Sequence, residues 1–431
     1  MKGSALLAVL FAAITPILVL ALLVAGAGLG LVLWRPPVIW TDQLGTPSTN
    51  PNGFTGIAVS NTSLYAGGYL NATDYFTGVP FVKKYDLGGR SIWNTTIAPL
   101  KGYTIVSVAA GNNTAYIIGE GVYNDTLLRL DSNGNYLWIR QLNGVRDAAI
   151  YATTNGVYLA GSSDLRLTNQ TFTGTISFVR EYDLDGNVLW TKEFSNSTGR
   201  VYGIYAVPST VYALTGSSLV SYDRSGNENW LRSGGTGLWA DSGGAYVSGE
   251  IGSGYAYPVL HGFLRKYDQS GNQLWNLQFD SPDGSGVGSS NLSGDSSGLY
   301  LSMGSIAGNG FVMKYEPQGR QLWNFRTPIH PTPLISQIDG FLVAAGGGGF
   351  YLAGSTVLPI GNTYSANAIV QQFGQSSSLI FFGINPPWSF MIVAALVAVA
   401  GIGIWFFRKR YLARLALRPK STSPDIRFPQ D

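Results

Sequence analysis

The sequence has no cysteine, only two histidines, and few charged residues. Without cysteine the chain can form neither a disulfide framework nor a thiolate metal site. His261 and His330 stand far apart in the sequence, and a histidine metal centre needs a cluster of ligands. Walker loops, Gly-x-Ser-x-Gly elbows and dinucleotide-binding fingerprints are also missing. We therefore predict no cofactor, no metal site and no catalytic residues.

The composition favours short strands joined by turns. Charged residues make up 12% of the chain and aromatic residues 13%, and there are 56 glycines. Aromatic residues are enriched in strands, and glycine is the most common residue at tight turns. The length of 431 residues suits one large domain when the architecture is built from repeats.

One motif organises the chain. In the segment EYDLDGNVLW, residues 181–190, an acid precedes a tryptophan by seven positions, and a glycine follows the acid by three. This spacing occurs six times in the chain. The acid and tryptophan pairs are Asp86 and Trp93, Asp131 and Trp138, Asp183 and Trp190, Asp223 and Trp230, Asp268 and Trp275, and Glu316 and Trp323. The motif predicts two strands joined by a tight turn, in which the glycine supplies a positive φ. We interpret these residues as structural, with the acid holding the turn and the tryptophan packing between neighbouring units.

A second pattern recurs seven times. It is a strand of the type GVYLAGS, and its copies lie at residues 63–69, 114–120, 156–162, 210–216, 244–250, 298–304 and 349–355. Together with the hairpins, these strands define units of 40 to 50 residues with four strands each, which is typical of β-propeller blades. The fold class is therefore predicted as all-β, a seven-bladed β-propeller of four-stranded blades, flanked by one transmembrane helix at each end.

Closure of the seventh blade has two candidate strands. The segment VIWTDQL, residues 38–44, matches the second strand of the hairpins but lacks a partner, so Trp40 would complete the last blade and protect its edge. Alternatively, residues 378–382 would supply the outer strand, because Phe381 follows Gly374 by seven positions.

The repeat KYD-x-x-GN-x-x-W resembles the β-propeller repeats of bacterial and archaeal surface proteins and, more broadly, the PQQ-like propeller superfamily. The resemblance covers residues 38–382 and concerns the fold, because such repeats occur in binding, scaffold and adhesion proteins alike. Quinoprotein dehydrogenases of this superfamily add calcium-binding acids, a catalytic Asp and often vicinal cysteines. The chain has no cysteine, and its hairpin spacing is one residue shorter than the usual quinoprotein motif.

Both ends carry membrane signals. Thirty uncharged residues run from Ala5 to Trp34, and twenty apolar residues run from Trp388 to Phe407, compared with about 20 needed to cross a bilayer. We predict an N-terminal signal-anchor helix in residues 1–35, an extracellular propeller in 38–382, a transmembrane helix in 388–407 and a basic cytoplasmic tail in 408–431. Cleavage within Ala25–Gly30 remains the alternative to a retained N-terminal anchor.

Charge sets the predicted orientation. The tail after Phe407 has seven basic and two acidic residues, so it should stay in the cytoplasm and leave the propeller outside, at the cell membrane. Residues 36–387 contain 18 Lys or Arg and 22 Asp or Glu, a balance that argues against nucleic-acid binding. Eight Asn-x-Ser/Thr sequons lie in this part, which predicts a glycoprotein and favours an archaeal or eukaryotic surface. They are at Asn61, Asn71, Asn94, Asn112, Asn124, Asn169, Asn196 and Asn291.

The predicted binding surface is one end of the propeller, which we call the long-loop face. It carries the connections between blades and those between the second and third strands. The longest predicted connections are Leu70–Pro80, Pro99–Ile105, Ser163–Ile176, Ser253–Gly262, Asp280–Ser290, Thr327–Gly340 and Thr356–Ala366. Variable loops on a rigid scaffold commonly form binding sites. The aromatic candidates in them are Tyr75, Phe76, Tyr103, Phe172, Tyr255, Tyr257 and Tyr364.

The primary functional hypothesis is a membrane-anchored propeller that binds an envelope protein or a glycan without chemistry. An alternative is an accessory subunit of a transport or respiratory complex in the membrane, for which the Ala/Gly-rich run Ala394–Gly403 would allow close helix packing. A quinoprotein-like or glycan-acting extracellular enzyme is the third hypothesis. Asp280 and Asp283, in the segment DSPDGSG, have some features of a calcium loop but lack the full alternating ligand set.

Overall fold

A computed structural model describes residues 32–44, 51–73, 77–111, 113–122, 124–163, 176–194, 200–252, 261–327, 342–360, 363–374 and 378–381. The chain divides into two compact units, Pro36–Ser377 and a second unit that combines Met1–Arg35 with Ser378–Asp431. The described residues are mostly β-strand, with a 3-10 helix at Ala98–Leu100. They contain no helix that is long and apolar enough to span a membrane. The predicted spans lie almost wholly outside these residues.

Two strands precede the repeats, β1 (Val32–Arg35) and β2 (Val38–Leu44). The next twelve strands form three antiparallel sheets, which are the first three blades. Blade 1 consists of β3 (Gly53–Val59), β4 (Ser63–Leu70), β5 (Val79–Asp86) and β6 (Ser91–Thr96). Blade 2 consists of β7 (Thr104–Ala110), β8 (Ala115–Glu120), β9 (Asn124–Leu130) and β10 (Tyr136–Asn143). Blade 3 consists of β11 (Val145–Ala152), β12 (Gly156–Ser163), β13 (Ile176–Asp183) and β14 (Val188–Phe194).

Three further blades follow in the same order. Blade 4 consists of β15 (Val201–Val207), β16 (Thr210–Thr215), β17 (Ser218–Asp223) and β18 (Glu228–Ser233). Blade 5 consists of β19 (Gly237–Asp241), β20 (Gly244–Ile251), β21 (His261–Tyr267) and β22 (Gln273–Phe279). Blade 6 consists of β23 (Val287–Asp295), β24 (Gly298–Ser305), β25 (Gly310–Tyr315) and β26 (Gln321–Thr327).

The seventh blade is assembled from both ends of the propeller. Its inner three strands are β27 (Leu342–Gly346), β28 (Gly349–Ile360) and β29 (Thr363–Gly374), and its outer strand is β2. Trp40 pairs with Gln372, and Val38 pairs with Phe373. The prediction of a seven-bladed propeller with four-stranded blades is confirmed, and the segment around Trp40 closes it.

The competing strand for closure lies elsewhere. Residues 378–381 form β30 (Ser378–Phe381), which pairs with β1 in the second unit and not with β29. This pairing also corrects the predicted N-terminal helix at its end, because Val32–Trp34 belong to a strand. Their backbone groups find partners in β30, and Pro36 follows at a position where helical structure would have to end.

The hydrophobic core lies between the blades. The inner strands β3, β7, β11, β15, β19, β23 and β27 contact one another in sequence around a ring, and β27 contacts β3. The buried apolar residues form seven clusters, each of which spans the junction between two neighbouring blades. The cluster at the closing junction joins Tyr351 and Val370 of blade 7 to Phe54 and Phe81 of blade 1.

The two ends of the ring differ. At one end, which we call the hairpin face, short turns join the third and fourth strands of blades 1 to 6; they lie at 86–90, 131–135, 183–187, 223–227, 268–272 and 316–320. The long-loop face is the other end. One predicted loop of that face is wrong: most of Thr356–Ala366 is strand, because β28 and β29 pair from Thr356 with Asn367 to Ile360 with Thr363. A connection of only residues 361–362 remains.

Candidate functional site

The repeated acids close their own turns. In blade 3, Asp183 Oδ1 accepts hydrogen bonds from the amides of Asp185 at 2.9 Å and Asn187 at 2.8 Å, and Oδ2 accepts one from the Asn187 side chain at 2.9 Å. Gly186 has a φ of 77°, as the turn requires. These bonds favour the ionised carboxylate, so hydrogen bonding from Asn187 lowers the pKa of Asp183.

The repeated tryptophans dock on the turn of the next blade. Trp138 donates from Nε1 to the carbonyl oxygen of Leu184 at 2.9 Å. A Cβ atom on Gly186 would lie 3.0 Å from the same indole ring, so the glycine is needed for this close approach as well as for its φ. Equivalent bonds to carbonyl groups of the next turn are made by Trp93, Trp190 and Trp230. The repeat residues are thus occupied by contacts within the scaffold.

A buried tyrosine stands beside each of these tryptophans. Tyr158, in the second strand of blade 3, donates its hydroxyl hydrogen to Glu181 at 2.6 Å, and its ring centroid lies 6.1 Å from that of Trp190. Burial and the hydrogen bond to Glu181 raise the pKa of Tyr158 to about 12. Because the sequence repeat shows only that a tyrosine recurs, this packing role was not evident before the structure.

A cavity of about 210 Å³ lies inside the ring of inner strands and is lined by residues from all seven blades. Several of these residues lie where an inner strand begins, so the cavity lies toward the long-loop face. Its charged lining residues are Glu120 and Arg200, and the guanidinium of Arg200 lies 5.6 Å from the ring centroid of Tyr202. Ligand pockets usually measure about 300–1,000 Å³. The cavity is small by this measure, which favours recognition on the surrounding face.

Hydroxyl groups around the cavity join neighbouring blades. The Oγ1 atom of Thr236 and the Oγ atom of Ser290 lie 3.1 Å apart, and Ser290 donates to Ser248 at 3.1 Å. The backbone amide of Ala345 donates to Ser293 Oγ at 2.9 Å. The Ser293 hydroxyl thus satisfies a backbone amide at the inner edge of blade 7, and the hydroxyl groups of Thr236, Ser290 and Ser248 satisfy one another.

The predicted aromatic binding residues fall mostly outside the described part. Tyr75, Phe76, Phe172, Tyr255 and Tyr257 are not among the described residues, and Tyr364 is described only as a backbone position in β29. Tyr103 is half-buried, and its hydroxyl accepts a hydrogen bond from Gln141 Nε2 at 3.2 Å. A Cβ on Gly121 would lie 2.3 Å from its ring, so Tyr103 packs against its own loops.

The long-loop face also carries exposed aliphatic side chains that sequence reasoning missed. Val79 begins β5, Val122 lies between β8 and β9, and Ile306 lies between β24 and β25; the exposed fractions of the last two are 56% and 55%. Single aliphatic residues in loops give no periodic signal, and only the arrangement of the blades brings them to one end of the propeller.

The described sequons lie in different settings. Asn61 and Asn71 are exposed outside strands, and Asn71 has a φ of 54°. Asn94 is exposed in the outer strand β6, and Asn124 is the first residue of β9. Asn291 lines the central cavity from β23. The other three, Asn112, Asn169 and Asn196, lie outside the described residues.

The segment considered as a calcium loop is held by protein donors. Asp283 accepts hydrogen bonds from Ser281, Ser285, Ser305 and Asn309. Burial alone would raise the pKa of Asp283, but the hydrogen bonds from Asn309, Ser305 and Ser285 outweigh burial and lower it strongly. Asp280 instead pairs with His261. Within the described ranges, no group of three His, Asp or Glu residues is placed to hold a metal ion.

No protein-family model matches the chain, and no curated protein matches it. Two similar solved structures are a protein of unknown function from Bacteroides caccae and the WD40 domain of Pan2 from Neurospora crassa. The first is 14% identical, with a TM-score of 0.39, and the match covers 62% of this chain and 94% of that one. The second is 11% identical, with a TM-score of 0.49, and the match covers 81% and 99%. The fold assignment above rests on the strand topology alone.

Proposed function

We propose that the protein is a membrane-anchored extracellular β-propeller that acts as a binding or scaffold module for an envelope protein or a glycan. The observation that carries this proposal is the contrast between the two ends of the ring. On the hairpin face, each of six five-residue turns donates hydrogen bonds to its own carboxylate. On the long-loop face, connections range from the single residue Gly144 to residues 328–341. Varied connections on a closed ring are the usual place for recognition.

Exposed aliphatic residues on the long-loop face support a protein partner over a glycan. Val79, Val122 and Ile306 lie among polar loops, and exposed apolar side chains at a rigid surface are common in protein interfaces. The basic tail after Phe407 and the uncharged terminal runs support an anchored protein whose propeller lies outside the cell.

The test is partner recovery from native membranes after mild cross-linking. For full-length protein with Val79→Ser, Val122→Ser and Ile306→Ser, the amount of partner recovered should fall about tenfold. Each substitution would remove an apolar contact of about 0.5 kcal/mol or more. As a control, Leu231→Ser changes an aliphatic residue that is 41% exposed in the outer strand β18. Equal recovery by both variants would show that the long-loop face is not the binding surface.

A second candidate is an accessory subunit of a membrane complex. It is favoured by the antiparallel pairing of β1 with β30, in which Val32 is opposite Phe381 and Arg35 is opposite Ser378. This pairing brings together the end of the first predicted span and residues that precede the second. Exchange of residues 388–407 for an unrelated anchor should abolish copurification of a membrane partner, whereas the module proposed above would keep its partner.

A further inference from the structure

Both ends of the propeller chain reach the ring at the hairpin face. β2 begins at Val38 and β29 ends at Gly374, and the Gly374 amide donates to the Pro37 carbonyl oxygen at 2.9 Å. In the turn of blade 3, the equivalent hydrogen bond runs from the Asp183 amide to the Asn187 carbonyl oxygen, also at 2.9 Å. The junction of the two chain ends therefore occupies the position of a seventh turn on the hairpin face, and the chain enters and leaves the propeller there.

The rim of the same face carries most of the exposed apolar side chains. Fifteen large hydrophobic residues are exposed in the described part of the chain, and ten of them lie in the first two residues of an outer strand or in the preceding turn. Nine of the ten are aliphatic, and together with Tyr136 they form what we call the aliphatic rim: Val38, Ile39, Ile92, Tyr136, Leu137, Leu184, Val188, Leu189, Leu274 and Leu322.

The aliphatic rim follows the repeat. In six of the seven outer strands, the residue immediately before the docking tryptophan is Ile or Leu, whereas blade 4 has Asn229 at this position. Ile39, Leu189 and Leu274 are each at least 55% exposed, so they do not serve the core that their tryptophan neighbours fill. Exposed apolar residues at equivalent heights around a ring indicate a shared apolar environment outside the protein.

We propose that the hairpin face is directed toward the lipid bilayer, with the aliphatic rim in contact with the lipid surface and the long-loop face directed away from it. This inference rests on the membrane anchoring in the proposed function. The lipid surface is the occupant that the chain itself indicates, because one run long enough to span a bilayer ends at Trp34, four residues before β2 begins, and a second starts at Trp388, fourteen residues after β29 ends. A propeller oriented this way would present its varied connections to partners outside the cell.

The charge of the hairpin turns beside the aliphatic rim indicates which lipid headgroups the rim can contact. The six hairpin turns contain seven acidic and three basic residues, and the repeated acids are ionised within their own hydrogen bonds. An acidic rim is not attracted to anionic headgroups, so apolar contact with a zwitterionic surface is the expected mode. Such contact should be insensitive to salt, since exposed charges contribute little to it.

The absence of native cysteine allows a direct test with single-cysteine variants of the full-length protein. Leu189→Cys and Leu274→Cys place a fluorophore on the rim, while Val122→Cys and Ile306→Cys place it on the long-loop face. All four native side chains are exposed, so labelling should not disturb folding, and thermal unfolding checks this. Asn229→Cys tests the blade that lacks a rim aliphatic residue.

The labelled proteins are reconstituted in phosphatidylcholine vesicles that contain a nitroxide-bearing lipid. Quenching should be about threefold or more stronger at the rim positions than on the long-loop face, because an interfacial side chain lies within the headgroup region. The difference should persist at high salt. Asn229→Cys should fall between the two groups.

Equal quenching at both faces, or stronger quenching on the long-loop face, would overturn the orientation. Rim labels that are shielded from soluble quenchers but unaffected by nitroxide lipid would show that a protein, or a second copy of this chain, covers the rim, and the lipid contact would be wrong. Carbonate extraction of the same vesicles tests anchoring separately. Release of the chain by carbonate would reject the anchored function itself, whereas retention with equal quenching would reject only the orientation.

Discussion

Blades 3 and 7 reach the same outer geometry by different routes. In blade 3, the outer strand follows its neighbour through a turn that Asp183 and Gly186 hold in place. In blade 7, the outer strand comes from the other end of the propeller, and one backbone bond from Gly374 to Pro37 replaces the turn. An adjacent outer strand forms through local contacts, whereas the closing strand must be brought in over nearly the whole propeller. Closure is thus the step with the largest loss of chain entropy.

Blades 2 and 7 differ in how their tryptophans are satisfied. Trp138 of blade 2 donates a hydrogen bond to the blade 3 turn. Trp40 of blade 7 packs on Gly89 and stacks on Tyr85, with ring centroids 5.5 Å apart, but its Nε1 group has no hydrogen-bond partner among the described residues. Blade 7 compensates with Asp42, which accepts hydrogen bonds from Lys83 at 2.6 Å and Tyr85 at 2.7 Å in blade 1.

The largest effect is expected from removal of the closing strand. Replacement of residues 38–44 by a Gly/Ser segment of equal length should lower the free energy of unfolding by about 5 kcal/mol or more, beyond the usual range for one substitution. The same replacement of residues 188–194 removes the outer strand of blade 3 but leaves the ring closed. Denaturant unfolding measures both. Equal losses would mean that closure has no special role.

Asp42 should be the most sensitive single side chain at the closing junction. Asp42→Ala leaves the largely buried Lys83 ammonium without its partner, at a cost of about 3 kcal/mol. The double variant Asp42→Ala, Lys83→Met removes the stranded charge and should recover more than half of the loss. No recovery in the double variant would show that Asp42 acts through Tyr85 or through packing alone.

A Cβ atom at the turn glycine should cost less. Gly186→Ala requires an L-residue at a φ of 77° and contact with the Trp138 ring, a cost of about 1–2 kcal/mol. Gly374→Ala, at the corresponding corner of blade 7, requires no positive φ, and its expected cost is below about 1 kcal/mol. Thermal unfolding of the two variants compares the local turn of blade 3 with the junction that the two chain ends form in blade 7.

The hydrogen bond of the docking tryptophan should make a smaller difference in stability between blades 2 and 7. Trp138→Phe removes the bond to Leu184 and should destabilise the propeller by about 1 kcal/mol more than Trp40→Phe, where no such bond is lost. Both substitutions lose a similar apolar area. If the two variants unfold with the same midpoint and denaturant dependence, the hydrogen bond contributes nothing net.

The smallest expected effect is a pH dependence of the six hairpin turns, which blade 7 does not share. Hydrogen bonds lower the pKa values of Asp131, Asp183, Asp223 and Asp268 in the folded state. The ionised carboxylates therefore give their full stabilisation of the folded state at pH values above their unfolded-state pKa of about 3.9. This stabilisation is lost as the pH falls through their folded-state pKa. The unfolding midpoint should decline below about pH 4. Asp183→Asn should reduce that decline, and an unchanged profile would contradict the assignment.

Much of the fold could be predicted from local patterns. The seven-residue spacing from Asp183 to Trp190 predicts a turn whose hydrogen bonds are all short-range. A few adjacent residues therefore determine the geometry of this turn. The predicted loop Thr356–Ala366 failed because pairing of β28 with β29 extended both strands through it. Connection lengths predicted which end of the ring carries the long loops, but not that Tyr103 packs within them or that Val122 and Ile306 are exposed there. Exposure depends on which loops the blades bring together.

The sequence by itself determined the number of blades, the turn chemistry and the seven-residue spacing from acid to tryptophan in six hairpins, because each of these is repeated within a short segment. Only the tertiary structure decided that Trp40 closes the ring, that residues 378–381 pair with β1, and that aliphatic residues form a rim where the chain ends meet. Those features depend on contacts between distant segments. Such contacts stabilise the protein only after the blades have closed around a common axis.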